Sequence, residues 1–308
     1  MIGAIDIGGT KIAVGVIGSD GQVRSRRDVP TEAEAGFPRA LAKMTALLRD
    51  AQAEAGGKID GIGIGATGPV DPFRGTIEDA GLLPGWRGAP IGPRLAEAFG
   101  VETALENDAD AASLAEATWG IGRGAECFLY VTISTGIGAG IVRDRKLFRG
   151  AKGAHPELGH IALDHSGGPQ CYCGLKGCWE SLASGPALEA WYRAQAEPGT
   201  PAAGPEEICR RAGAGEPLAR RALAREAEYV GLGLVNLVTS FCPDVIALGG
   251  GVAKSAGLFL DQARDMVRRL ATQVPATQTR IEVAALGNDV GLIGAGGAWL
   301  HRVGRLPL

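Results

Sequence analysis

The chain has 308 residues, 45% of them hydrophobic, with 34 acidic and 31 basic side chains and a formal charge of −3. That length can hold two medium domains with a core each, and so mild an acidity gives no electrostatic reason to expect nucleic acid or an anionic membrane as partner. The start, Met1-Ile2-Gly3-Ala4-Ile5, lacks a basic region and a cleavage site, and no apolar run reaches membrane-spanning length, so a cytoplasmic location is expected.

Residues 2–29 read as three short strands, the first two joined by Gly8-Gly9-Thr10-Lys11 and the next turn made by Ser19-Asp20-Gly21. A helix is expected over 37–55, with Leu41, Met44, Leu47 and Leu48 on one face. Strands follow at 59–65 and 102–106, then an alanine-rich helix from Asp108 to Trp119. The second half opens on the same pattern, with an apolar strand at 128–133, the turn Ser134-Thr135-Gly136, and a return strand at 137–142. Two such hairpins, one in each half, imply a duplicated α/β architecture with a cleft between its halves. Helices are expected at 186–196, 205–212, 216–239 and 290–300. Buried strands are expected at 245–248, ended by Gly249-Gly250-Gly251, and at 281–285. The expected lobes are 1–118, with 289–308 packing back on it, and 119–288.

Chemistry gathers at a few places. Glycine turns after strands let backbone N–H groups approach an anion. Asp6-Ile7-Gly8-Gly9-Thr10-Lys11 adds a hydroxyl, an ammonium and a carboxylate able to hold Mg²⁺ through water. Ser134-Thr135-Gly136-Ile137-Gly138 and Gly249-Gly250-Gly251 supply two further surfaces of this kind, although each alone is also an ordinary tight turn. A GxxxxGK[ST] P-loop is absent. Asp108 lies between a strand end and a helix start, where α/β folds place ligands and where a helix N-cap also belongs. Three of the six cysteines, Cys171, Cys173 and Cys178, follow His160 closely and form with it a structural zinc ligand set. His155 and His165 are spare candidates for the nitrogen ligand. Cys127, Cys209 and Cys242 read as buried thiols. Glu157 and Glu180 flank the cysteine segment and can accept hydrogen bonds from sugar hydroxyls, or be solvated surface acids.

In order along nearly the whole chain, six segments resemble the ROK family of repressors and sugar kinases. They are Asp6–Lys11, Gly65-Ala66-Thr67-Gly68-Pro69-Val70-Asp71, Asn107-Asp108-Ala109-Asp110-Ala111-Ala112, 134–140, Glu157-Leu158-Gly159-His160 and 171–180. The resemblance implies a two-lobed fold of the actin-like, sugar-kinase ATPase type. It implies ATP-dependent phosphorylation of a hexose, usually at the 6-hydroxyl, with Mg²⁺ and a structural Zn²⁺. Asp108 matches the catalytic base, and Gly68, Asn107, Glu157, His160 and Glu180 match sugar-side positions. His160, Cys171, Cys173 and Cys178 match the zinc ligands. Gly8, Gly9, Thr10, Lys11, Ser134, Thr135, Gly136 and Gly138 match the phosphate turns, and Gly249, Gly250 and Gly251 the nucleotide side. Homodimers or homotetramers are expected. Glucose is the leading acceptor, with fructose, N-acetylmannosamine and N-acetylglucosamine as alternatives. A sugar-binding protein without turnover is the alternative outside the kinases. Two departures bear on the choice of sugar: Leu82 stands where many glucokinases of the family carry asparagine, and His155-Pro156-Glu157 replaces the more usual Ala-Gly-Glu. A repressor of the family needs a helix-turn-helix ahead of the first strand, and Asp6 lies almost at the N-terminus, so an enzyme is expected.

Overall fold

β-Branched isoleucine and valine recur through the first thirty residues, which favours strands. In a computed structural model, which describes residues 1–308, these become β1 (Ile2–Ile7), β2 (Lys11–Ile17) and β3 (Val23–Pro30). They are followed by α1 (Phe37–Ala55), β4 (Gly61–Ala66), the short hairpin β5 (Val70–Asp71) and β6 (Thr76–Ile77), α2 (Ile91–Phe99), β7 (Glu102–Asn107) and α3 (Asp108–Trp119). The first sheet has the order β3-β2-β1-β4-β7. Its first three strands are antiparallel neighbours, and β1, β4 and β7 run parallel, with Ile5 opposite Val14 on one side and Ile64 on the other.

The chain continues through β8 (Cys127–Ile133), β9 (Ile137–Arg143), β10 (Lys146–Leu147), α4 (Trp179–Ala183), α5 (Gly185–Gln195), α6 (Pro205–Gly213) and α7 (Pro217–Phe241). It ends with β11 (Val245–Gly249), α8 (Gly250–Ala253), α9 (Leu260–Leu270), β12 (Arg280–Val283) and α10 (Val290–Arg302). The second sheet, β10-β9-β8-β11-β12, repeats the strand order of the first, with β8, β11 and β12 parallel. The duplicated α/β architecture expected from the two hairpins is present.

Two compact units result. One comprises Met1–Gly124, Gly140–Pro156 and Ala285–Leu308; the other comprises Ala125–Ala139 and Glu157–Ala284. Residues 140–156, in the middle of the chain, are therefore grouped with the first unit.

In the first unit, α1 buries Ala40, Met44, Leu48 and Ala51, one residue per turn, against the sheet. Leu41 and Leu47, expected on that face, are only partly buried at its edge. On the other side α10 buries every residue from Leu292 to Leu300, among them Gly294, Gly296 and Gly297. Its backbone lies so close to β4 that a Cβ at Gly63 would overlap the Ala295 carbonyl, so small residues on both elements set the spacing. In the second unit α7 presents Leu223, Val230, Leu234, Leu237 and Val238 to its neighbours. It also buries Glu226 completely, with no hydrogen-bond partner for either carboxyl oxygen. Of the three isolated cysteines, Cys127 and Cys209 are buried. Cys242 is exposed, because it forms the left-handed cap that ends α7.

Candidate functional site

β7 ends where α3 begins, and the junction carries Asn107 and Asp108. Asn107 is the helix N-cap: its Oδ1 accepts hydrogen bonds from the backbone N–H groups of Ala109, at 2.8 Å, and Asp110, at 3.4 Å. The capping role therefore falls to Asn107, and Asp108 is the first helical residue, its own Oδ1 accepting from the Ala109 N–H. Gly68 faces this junction. A Cβ there would come to 2.8 Å from Asn107 Nδ2, so only glycine leaves the cap in place.

Asp6, at the end of β1, belongs to the same group. Its carboxyl abuts Gly291 in the first turn of α10. Burial, and then the negative charge of Asp108, push its pKa up to about 7, with Lys11 and Arg26 opposing. Two half-buried carboxylates repelling one another fit a cation held between or beside them. The turn after Asp6 is closed by the Gly8 N–H donating to the Lys11 carbonyl, and the Thr31 hydroxyl donates to the Gly8 carbonyl at 2.7 Å. Lys11 pairs with Asp28 at 3.5 Å, and Leu82 lies directly over Gly9.

In the second unit, the turn after β8 is closed by the Ser134 N–H donating to the Gly136 carbonyl. Glu180 supports that turn from below, Oε2 accepting from the Ile137 N–H at 2.8 Å. Gly250, with φ of 88°, packs on the Ile133 carbonyl, and a side chain at Gly251 would touch the Ser134 hydroxyl. The second and third glycine surfaces thus lie together. Glu180 serves a backbone role that its sequence position did not reveal.

His160 and the three cysteines also come together, one ligand atom from each lying within 4.8 Å of the others. Cys171 and Cys178 Sγ are 3.8 and 3.7 Å from His160 Nδ1. A tetrahedral zinc with ordinary Zn–S and Zn–N bonds has S···N edges of roughly 3.6 Å. Burial and the neighbouring thiols push the Cys171 thiol up to about 12, a cost that a bound dication would reverse. The donor set therefore fits zinc. His155 is not part of it: its Nδ1 lies 2.9 Å from Asp110 Oδ1.

Tyr172 is a site residue that sequence reasoning passed over. Its residue is 84% exposed, yet its hydroxyl lies 3.1 Å from His160 Nε2, the rings meeting edge to face. Desolvation local to the hydroxyl, on a residue otherwise exposed, followed by the charges of Glu180, Cys171 and Glu157, pushes that phenol up. A hydroxyl thus lies among the three side chains expected to meet sugar hydroxyls. The position of Tyr172, between two cysteines of the Cys₃His cluster, was the available signal.

Two five-stranded α/β sheets of one topology, with glycine turns at the strand ends and a Cys₃His cluster, define the class of protein. The ROK family model matches residues 2–302, and the chain belongs to the ROK family. A glucokinase from Streptomyces coelicolor is 35% identical over 306 residues, covering 94% of this chain and 95% of that protein. The crystal structure of a ROK hexokinase from Thermus thermophilus matches with a TM-score of 0.85 at 40% identity, over 98% of this chain and 99% of that one. A ROK family glucokinase from Streptomyces griseus, in complex with glucose and AMPPNP, matches with a TM-score of 0.81 at 33% identity, over 98% and 99% of the two chains.

Proposed function

We propose that this chain is an ATP-dependent hexose kinase with glucose as its leading acceptor and Asp108 as general base. The observation that carries the reading is the division of labour at the β7–α3 junction. Asn107 caps the helix through both Ala109 and Asp110, so the acid at the next position, which shares only the Ala109 N–H, is spared the cap and suits proton transfer. The relatives named above, a glucokinase and a hexokinase, support a sugar kinase.

In this reading Asn107, Glu157, His160 and Glu180 hold the sugar, with Gly68 keeping Asn107 in register. Asp108 accepts the proton of the sugar hydroxyl as that oxygen bonds to the γ-phosphorus of ATP. The bond from phosphorus to the β,γ-bridging oxygen breaks, ADP leaves, and the product is the hexose phosphate. The turns Gly8–Lys11 and Ser134–Gly138 receive the phosphate oxygens through backbone N–H groups other than those of Gly8, Ser134 and Ile137, which close and brace the turns, and Gly249–Gly251 present a flat surface to the nucleotide. Asp6 would hold Mg²⁺ through water, and that ion supplies neutralisation of charge on the phosphates. His160, Cys171, Cys173 and Cys178 would hold Zn²⁺, which fixes the segment bearing Glu180.

The test is Asp108→Asn. Turnover should fall by about 10²–10⁴-fold, the usual contribution of a general base, while the melting temperature and the affinity for sugar stay near those of the parent. Near-normal turnover in the folded variant would end the assignment.

A further inference from the structure

An acid lies on each flank of the Asn107-Asp108 junction. Glu106 is the penultimate residue of β7, and Asp110 lies in the first turn of α3. Both are buried, the side chain of Glu106 being 7% and that of Asp110 3% exposed. A buried carboxylate is costly unless it is paired. Each has a partner, and both partners come from one short stretch that is distant in sequence: Arg149 ion-pairs with Glu106, and His155, 11% exposed, approaches Asp110 Oδ1 at 2.9 Å. The His155–Asp110 approach has ion-pair distance without the alignment of a linear hydrogen bond.

The stretch between these two residues is itself closed. The Gly150 N–H donates to the Ala154 carbonyl at 2.8 Å, and Phe73 covers Gly153. On the Arg149 side, α10 contributes two more groups. Arg302 faces Glu106, and His301 lies near Arg149 with its pKa lowered by burial and by that charge. Two residues beyond His155 the chain reaches Glu157.

We propose that Arg149 and His155 form a two-point clamp on the base-bearing junction, and that His155 is a positioning residue for the acceptor side of the reaction. The clamp holds the Asp108 turn from both flanks and fixes the start of the segment that carries Glu157. Both of its pairs fall on the flanks of the base-bearing junction, Glu106 and Asp110, so its effect is expected on the sugar side. The clamp itself follows from the pairs; its effect on turnover rests on the kinase reading given above.

The experiment compares His155→Ala, Asp110→Asn and the double variant with the parent, in steady-state kinetics and in amide hydrogen exchange. His155→Ala should lower kcat/KM for the sugar by about 100-fold, the loss expected when reacting groups are misplaced by about an ångström. The KM for ATP should stay within about twofold, and amides of residues 148–156 should exchange faster. Asp110→Asn removes the charge that His155 approaches and should show the same selective loss for sugar to a smaller extent. The double variant, which removes the stranded buried charge, should fold even where His155→Ala does not, and should show the same selective loss for sugar. Sugar kinetics within about twofold of the parent, with unchanged exchange over 148–156, would overturn the proposal. A parent protein that phosphorylates none of the sugars would end the kinase reading and leave the clamp to be judged by exchange: faster in His155→Ala supports it, unchanged contradicts it.

Discussion

Asp6 illustrates a residue whose chemistry runs against the stability of the fold. Its pKa of about 7 lies above the ordinary 3.8, so the folded state holds a proton that the unfolded state has released. Stability contributed by this group is therefore full below about pH 4 and is lost as pH rises toward about 7. Asp6→Asn does not titrate. In denaturant unfolding without nucleotide or metal, its advantage over the parent should grow between about pH 5 and pH 8, and a pH-independent difference would contradict the assignment. Phosphoryl transfer by the same variant should be impaired. Much of the site was legible at this scale, because Asp6, Asn107, Asp108 and the cysteines sit in short patterns whose chemistry is local. The pairs that His155 and Arg149 make were not legible. Their partners, Asp110 and Glu106, lie more than forty residues away in sequence, and no local pattern announces a pair that only the fold assembles.

Elements divide in the same way. α1 and α7 were legible because long helices repeat their apolar face over several turns. α2 escaped, since it has nine residues and opens on Ile91-Gly92-Pro93, which reads as a turn. The hairpin of β5 and β6, with two residues to a strand, carries too short a pattern to detect. Within α7, Glu226 breaks the apolar face, and burial raises its pKa well above the ordinary carboxyl value. Glu226→Leu should stabilise the protein by about 1–3 kcal/mol, the cost of an unsatisfied buried polar group. The gain should be larger near pH 8 than near pH 5, because the parent must ionise or retain its proton against the solvent as pH rises. Equal stability of the two proteins at both values would show that Glu226 has a compensating partner. The zinc loop makes a separate prediction. Cys173→Ala should lose bound zinc and melt at lower temperature; stoichiometric zinc by elemental analysis of the purified variant would refute the ligand set.

At the scale of the molecule, the repetition of one strand order in two sheets was foreshadowed only by two short hairpin segments, each a strand, a small polar turn and a returning strand. The grouping of residues 140–156 with the first unit was not foreshadowed, because it depends on backbone segments that come together only after folding. The duplicated architecture, the carboxyl pair Asp6 and Asp108, and the Cys₃His cluster all bear on one claim, that the protein transfers phosphate from ATP to a hexose. The direct test is ADP release by the purified, zinc-loaded protein with ATP and Mg²⁺, measured against glucose, fructose, mannose, N-acetylglucosamine and N-acetylmannosamine. Sugar-dependent release, with the highest kcat/KM for glucose, is the predicted result. Release with none of the five sugars would contradict the claim.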